Sequence, residues 1–188
     1  MRVRQVGSAS LAEYAEGIRR VHSEAFSAPP WNEDPAAGRL YVERLGDDAG
    51  RPGFTAALAL DGHTVGGFAT AWTTPGTFPS GRSHGHVARA LGPDRITAWL
   101  CGAVEVDELA VSPHLRGAGL GAALLSAVTG AAPGGRCRLL TSVRAGATLR
   151  FYRRAGWVQV PVPVPGRAGL VVLLGPDHPA AAGLAVGP

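Results

Sequence analysis

Three glycines, Gly117, Gly119 and Gly121, stand at alternate positions behind Arg116 and just ahead of an apolar run in VSPHLRGAGLGAALLSAV, residues 111–128. Each costs about 0.5–1 kcal/mol relative to alanine inside a helix. Three of them where a helix begins therefore point to a main chain that something approaches closely. When a strand feeds such a turn into a helix, orphan amide N–H groups and the positive end of the helix dipole face one point, and the chemistry there is anion binding. A P-loop is excluded, because no Lys-Ser or Lys-Thr follows the glycines. Gly117-Ala118-Gly119-Leu120-Gly121-Ala122 satisfies the G-x-G-x-x-A of dinucleotide-binding folds, yet no acid between Glu108 and Asp177 is available for a ribose. An NADP-linked fold, with Arg138 reading the 2′-phosphate, stays as a lesser alternative. His84 and His86 in SHGH suggest a metal, but no third ligand falls at sensible spacing, so no metal site is expected.

The elements that must position this loop are legible on either side of it. MRVRQV alternates as a short strand, and SLAEYAEGIRRVHSEAF carries Leu11, Tyr14, Ile18, Val21 and Phe26 at helical spacing, with Ser10 as N-cap. APPW breaks that helix. A second helix is expected over about 35–46 with Leu40, Tyr41 and Leu45 inward, followed by an antiparallel hairpin, FTAALALDGHTVGGFATAWTT. Residues 74–103 open with turn signals and continue with a weak helical pattern. AVEVDELAVS then reads as the strand before the glycines, GGRCRLLTSV as the strand after their helix, and ATLRFYRRAG as a short helix ending at a C′ glycine, Gly156. WVQVPVPV and GLVVLLG close the chain as strands. The class is α/β (α+β), one mixed sheet with at least one parallel crossover through the glycine helix.

The bulk numbers set limits. With 188 residues, 46% of them hydrophobic, one core over 1–188 is expected, with 177–188 a loose tail. No run of about 18 apolar residues could cross a membrane, and the polar, acidic first residues do not read as a signal peptide, so a cytoplasmic protein is expected. Cys101 and Cys137 are too few and too far apart for a disulfide framework. All eighteen basic residues are arginine. Residues 1–108 hold ten of them against thirteen acids, whereas 109–188 hold eight and only Asp177. The second part suits an anion and the first a cation. The arginines are scattered without interleaved aromatics, so nucleic acid is not an expected partner.

Arg116-Gly117-Ala118-Gly119-Leu120-Gly121 has the form Arg/Gln-x-x-Gly-x-Gly/Ala. Together with VDELAVSPHL before it and LRFYRRAGW after it, it resembles the GCN5-related N-acetyltransferases, the GNAT superfamily, closely over about 104–157. The resemblance implies a sheet of about seven mostly antiparallel strands flanked by helices on both faces, and acetyl-CoA as co-substrate without a metal. It implies that Leu109, Ala110 and Val111 meet the pantetheine arm through their backbone, and that Arg116, Gly117, Ala118, Gly119, Leu120, Gly121 and Ala122 cradle the diphosphate. Tyr152 matches the family tyrosine that protonates the departing thiolate. The position seven residues earlier, where family members often carry Asn, is Ala145.

Acetyl transfer needs a neutral amine, a polarised thioester carbonyl and a protonated leaving sulfur. Family members place a catalytic acid at the position of either Glu105 or Glu108. Period-2 alternation puts these two on opposite strand faces, and Glu108, adjoining LAV, is the preferred base. The family's acceptor pocket corresponds to FSAPPWNEDPA, 74–103 and 158–170, where Trp31, Glu33 and Trp72 are candidate acceptor contacts and Trp99 a further wall. The acidic first part of the chain suggests a small cationic amine, such as a polyamine, an aminoglycoside-like antibiotic or an amino-acid-type amine. The alternative is a non-catalytic acyl-CoA-binding module of the same fold. The resemblance also leaves room for a homodimer.

Overall fold

A computed structural model describes residues 1–81, 84–161 and 169–184. Seven strands form one mixed sheet in the order β1-β2-β3-β4-β5-β7-β6, flanked by helices. They are β1 (Arg2–Val6), β2 (Thr55–Asp61), β3 (Thr64–Thr73), β4 (Val104–Val111), β5 (Cys137–Ser142), β6 (Val158–Gln159) and β7 (Leu170–Leu174). The helices are α1 (Ala15–Phe26), α2 (Ala37–Asp48), α3 (His84–Leu91), α4 (Pro93–Arg95), α5 (Leu120–Thr129), α6 (Gly146–Arg154) and α7 (Ala181–Leu184). By contact density the chain forms two compact units, Met1–Trp72 with Val106–Gly130, and Thr73–Glu105 with Ala131–Pro188.

The core of the first unit gathers Leu11, Tyr14, Ile18, Val21, Phe26, Tyr41, Leu45, Leu58, Val65 and Phe68. β2 and β3 are apolar on both faces, as strands covered on both sides must be. Their two-residue loop has Gly62 at φ 58° in its first position, the placement a II′-type hairpin requires. Opposite Ala59 and Leu60 the register shifts, so that Gly66 is one residue more than the ladder uses. A Cβ there would collide with Met1 and Leu115, and one on Gly67 would lie 2.9 Å from the Ala110 carbonyl oxygen. Here β3 lies against the end of the strand that leads into the glycines. α5 packs Leu124, Leu125 and Val128 inward, against β1 and β2.

Two local expectations need correction. Ser10 is not an N-cap: Ser8–Tyr14 form a 3₁₀ helix preceding α1, because Leu11 and Tyr14 are three residues apart and a threefold turn stacks them on the core. Leu40 is 55% exposed, since Tyr41 and Leu45, four apart, define the inward face of α2 and leave Leu40 about 100° away.

The second unit buries Val87, Leu91, Ile96, Leu100, Val160, Val172 and Leu174. The weak helical pattern after residue 74 resolves into α3, α4 and a π-helical turn over Ile96–Leu100. Gly156 ends α6 at φ 81°, as a C′ glycine does. Residues 177–184, expected to be loose, instead carry α7 with His178 and Ala181 buried. His178 donates from Nε2 to the Trp99 carbonyl oxygen (2.9 Å) and accepts the Ala180 N–H at Nδ1 (3.1 Å). Of the expected strand WVQVPVPV only its first part, β6, falls among the described residues; 162–168 lie outside them.

Candidate active site

The glycine segment is built within the first unit. β4 ends at Val111, Pro113–Leu115 make one 3₁₀ turn, and Gly117 (φ 87°) and Gly119 (φ 77°) then turn the chain into α5. L-residues with a side chain rarely hold such angles, and a Cβ at either position would enter open space. Gly119 is the N-cap and supplies no side-chain cap. The first helical bond runs from the Ala123 N–H to the Gly119 oxygen, 3.1 Å. The amides of Leu120, Gly121 and Ala122 therefore precede the intrahelical ladder and point out of the helix end. The segment is a bare, positively polarised main-chain surface that fits a diphosphate. Arg116 donates from Nε to the Val111 carbonyl oxygen, 3.3 Å, folding its guanidinium back along the loop.

Ser112, at the corner between β4 and this loop, is fully buried with all its polar groups used. Its N–H donates to Gly66 O (2.9 Å), its carbonyl accepts from the Leu115 N–H (2.9 Å), and its hydroxyl donates to Glu24 Oε2 (2.7 Å). Glu24 and Ser112 lie 88 positions apart, and nothing in their spacing pairs them.

The linker after α1 brings Trp31 and Glu33 together. Trp31 packs edge-on against Phe26, with ring centroids 5.6 Å apart, and the Glu33 N–H bonds the Phe26 carbonyl oxygen at 3.0 Å. The Glu33 carboxylate, 37% exposed, lies 3.8 Å from His22 Nε2. Burial raises its pKa, and Arg44 acts against the shift. His22 stacks on Tyr41 at 4.8 Å, and burial, with Arg44 nearby, lowers its pKa to about 4. Trp72 is elsewhere in this unit: it is 2% exposed beneath the Arg51 guanidinium, 4.5 Å from its ring, and so presents no wall to an acceptor.

Of the β4 carboxylates in this unit, Asp107 is paired with Arg44 at 3.0 Å, and Arg44 also meets Asp48 at 2.9 Å. Glu108 is half-buried. Burial pushes the Tyr41 phenol well up, and the charges of Glu108 and Asp107 add to that shift. The phenol is hydrogen-bonded to Thr70 Oγ1, 2.9 Å.

Glu105 belongs to the second unit and is held differently. Arg138, fully buried in β5, donates from Nη2 to Glu105 Oε2 (2.5 Å) and from Nε to Thr74 Oγ1 (3.0 Å). His84 Nε2 lies 3.0 Å from Glu105 Oε1, and His84 Nδ1 3.2 Å from the Gly81 carbonyl oxygen. The Phe78 ring closes the cluster, 5.2 Å from the Arg138 guanidinium and 5.3 Å from the His84 ring. Arg138 and His84 thus engage both oxygens of this carboxylate. Sequence reading missed this network because Arg138 sits in a strand where an arginine ordinarily points outward, and His84 reads as a loop histidine. His86 is not part of it and accepts from Arg89, 2.8 Å.

Tyr152 is buried on α6 between Phe151 (5.0 Å) and Trp157 (5.7 Å). Ala145 is the N-cap of α6 and offers no side-chain cap; Ser142 Oγ instead accepts the Arg144 N–H, 3.2 Å. Arg153 donates to Gln159, 3.0 Å, and Trp99 lies under Arg95 at 5.3 Å.

The family model for an acetyltransferase (GNAT) domain matches residues 57–159. Among solved structures, a protein described as a GNAT-family acetyltransferase from Desulfovibrio desulfuricans is 22% identical with a TM-score of 0.60, covering 92% of this chain and 95% of that one. A protein from Corynebacterium glutamicum, described as histone acetyltransferase HPA2 and related acetyltransferase, is 20% identical with a TM-score of 0.59 over 94% and 97%. PaiA N-acetyltransferase from Thermoplasma acidophilum, solved in complex with coenzyme A, is 12% identical with a TM-score of 0.57 over 92% and 98%. No curated protein matches by sequence.

Proposed function

Because the chain belongs to the GNAT acetyltransferases, we propose that it moves the acetyl group of acetyl-CoA to the primary amine of a small, cationic acceptor. The observation that carries this reading is the segment Arg116–Ala122, with two positive-φ glycines and an uncapped α5. Its amides hold the diphosphate, and the backbone of Leu109, Ala110 and Val111 orients the pantetheine arm. Glu108, rather than the Arg138-paired Glu105, takes a proton from the acceptor's ammonium, directly or through one water, so that the neutral amine can attack. The amine nitrogen attacks the thioester carbon to form the new C–N bond and sheds its second proton to water; the C–S bond then breaks, Tyr152 gives its proton to sulfur, and the phenolate is reprotonated from solvent. Glu33, beside Trp31 and His22, supplies the acidic, aromatic-lined surface that suits a cationic amine. Trp72 and Glu105 have no role in this scheme.

The test is calorimetric titration with acetyl-CoA and desulfo-CoA, then thiol release with a panel of amines. The chain has no lysine, so release does not arise from acetylation of its own lysine side chains. Micromolar binding with amine-dependent release supports the proposal; binding without release across polyamines, aminoglycosides and amino acids removes the acceptor class. Absence of binding removes the reading of the glycines.

A further inference from the structure

Gly117 and Gly119 leave the glycine loop free to turn, so something else must fix where it starts. Ser112 is that point, held from three sides by Gly66 O, Leu115 N–H and Glu24 Oε2. Glu24 is itself fixed: its Oε1 accepts from Arg20 Nη1 (2.6 Å), and Arg20 Nη2 donates to the Val65 carbonyl oxygen (2.5 Å). Val65 and Gly66 are consecutive residues at the β3 register shift. Both of their carbonyls therefore feed one chain of bonds, Val65–Arg20–Glu24–Ser112 on one side and Gly66–Ser112 on the other, all within one compact unit.

We propose that Glu24 is a positioning residue for the diphosphate loop, acting through the Ser112 hydroxyl and kept neutral toward an anionic ligand by its ion pair with Arg20. This rests on the reading that the loop binds acetyl-CoA. A carboxylate beside a phosphate site is unfavourable to the ligand unless it is compensated. Arg20 compensates it here, which explains why a residue whose charge has the wrong sign can serve. Burial pulls the Glu24 carboxyl up, but the Ser112 bond and Arg20 outweigh it, leaving the carboxyl below its ordinary range. It is therefore an acceptor at neutral pH.

The test is a cycle of E24A, S112A and the double variant. The readouts are Kd for CoA, Kd for acetyl-pantetheine, which lacks the diphosphate, and the steady-state constants. Each single variant should weaken CoA by about five- to tenfold, and the double variant by no more than the larger single effect, since both remove one bond. Acetyl-pantetheine should bind each variant as it binds wild type, and the KM for acetyl-CoA should rise with kcat held. E24Q, which keeps an acceptor for the hydroxyl, should recover affinity to within about threefold of wild type. Should E24A fail to fold, S112A and E24Q alone carry the comparison. Wild-type CoA affinity in S112A, equal weakening of CoA and acetyl-pantetheine, or additive single effects would each overturn the assignment of Glu24. Lack of CoA binding by wild type would instead overturn the reading beneath it.

Discussion

Glutamine in place of Glu105 removes the negative charge between Arg138 and His84 while keeping the side-chain volume. Arg138 is fully buried, and among the described residues its Nη1 already has no hydrogen-bond partner, so water cannot replace the lost counter-charge. Breaking one half of a buried ion pair costs about 3–5 kcal/mol. At about 2–4 °C per kcal/mol for a chain of this length, Tm should fall by roughly 6–20 °C. The second half of the expectation is kinetic. Well below the lowered Tm, E105Q should keep kcat to within about threefold, because the proposed scheme makes Glu108 and not Glu105 the base, whereas E108Q should lose about 10²-fold or more at a temperature where it is folded. Scanning fluorimetry with steady-state thiol release at matched protein concentration measures both. Replacing the pair together, E105L with R138M, should recover most of the stability. An unshifted Tm in E105Q, or a hundredfold loss of kcat in E105Q shown to be folded, would refute the reasoning.

Burial lowers the His22 pKa to about 4 against 6.5 in the unfolded chain. As pH falls below 6.5 the unfolded chain binds a proton that the folded one refuses, so stability should drop by up to about 3 kcal/mol between pH 6.5 and 4 and be flat above; urea midpoints of wild type and H22F, compared across pH, check this. G119A should lose about 1–2 kcal/mol through its positive φ and raise the Kd for CoA by about tenfold, measured calorimetrically. Y152F should lower kcat by about tenfold or more with the KM for acetyl-CoA within twofold, read by stopped thiol-release assays. Burial, with Asp177 nearby, pushes the Cys137 thiol up to about 11, so thiol reagents at neutral pH should modify Cys101 well before Cys137, as mass spectrometry of partial adducts would show.

What was legible in the sequence was what is written locally. The hairpin around Gly62, the period of Ile18, Val21 and Phe26, the C′ glycine at 156 and the glycine loop each follow from a short run and one backbone rule. Leu40 and Ser10 failed at the same scale, because Tyr41 with Leu45, and Leu11 with Tyr14, outcompete them for the inward face. The partners of functional groups were not legible. Arg138 to Glu105 spans 33 positions, His84 to Glu105 spans 21, and Glu24 to Ser112 spans 88. A buried arginine and a buried glutamate each look like surface residues until the fold brings them together. The tail failed for a related reason: an Ala/Gly/Pro composition hides the one histidine, His178, that fastens it to Trp99.

The extra residue in β3 has an implication for how such a chain can diverge. Removing Gly66 would give the hairpin a regular ladder. It would, however, withdraw the carbonyl that receives the Ser112 amide, 46 positions downstream. Strand length at this point should therefore be inherited together with the residue at 112, and a descendant that has lost one should have lost or rebuilt the other. An insertion of one amino acid, invisible to any motif, would then mark which lineages keep their loop anchored in this way.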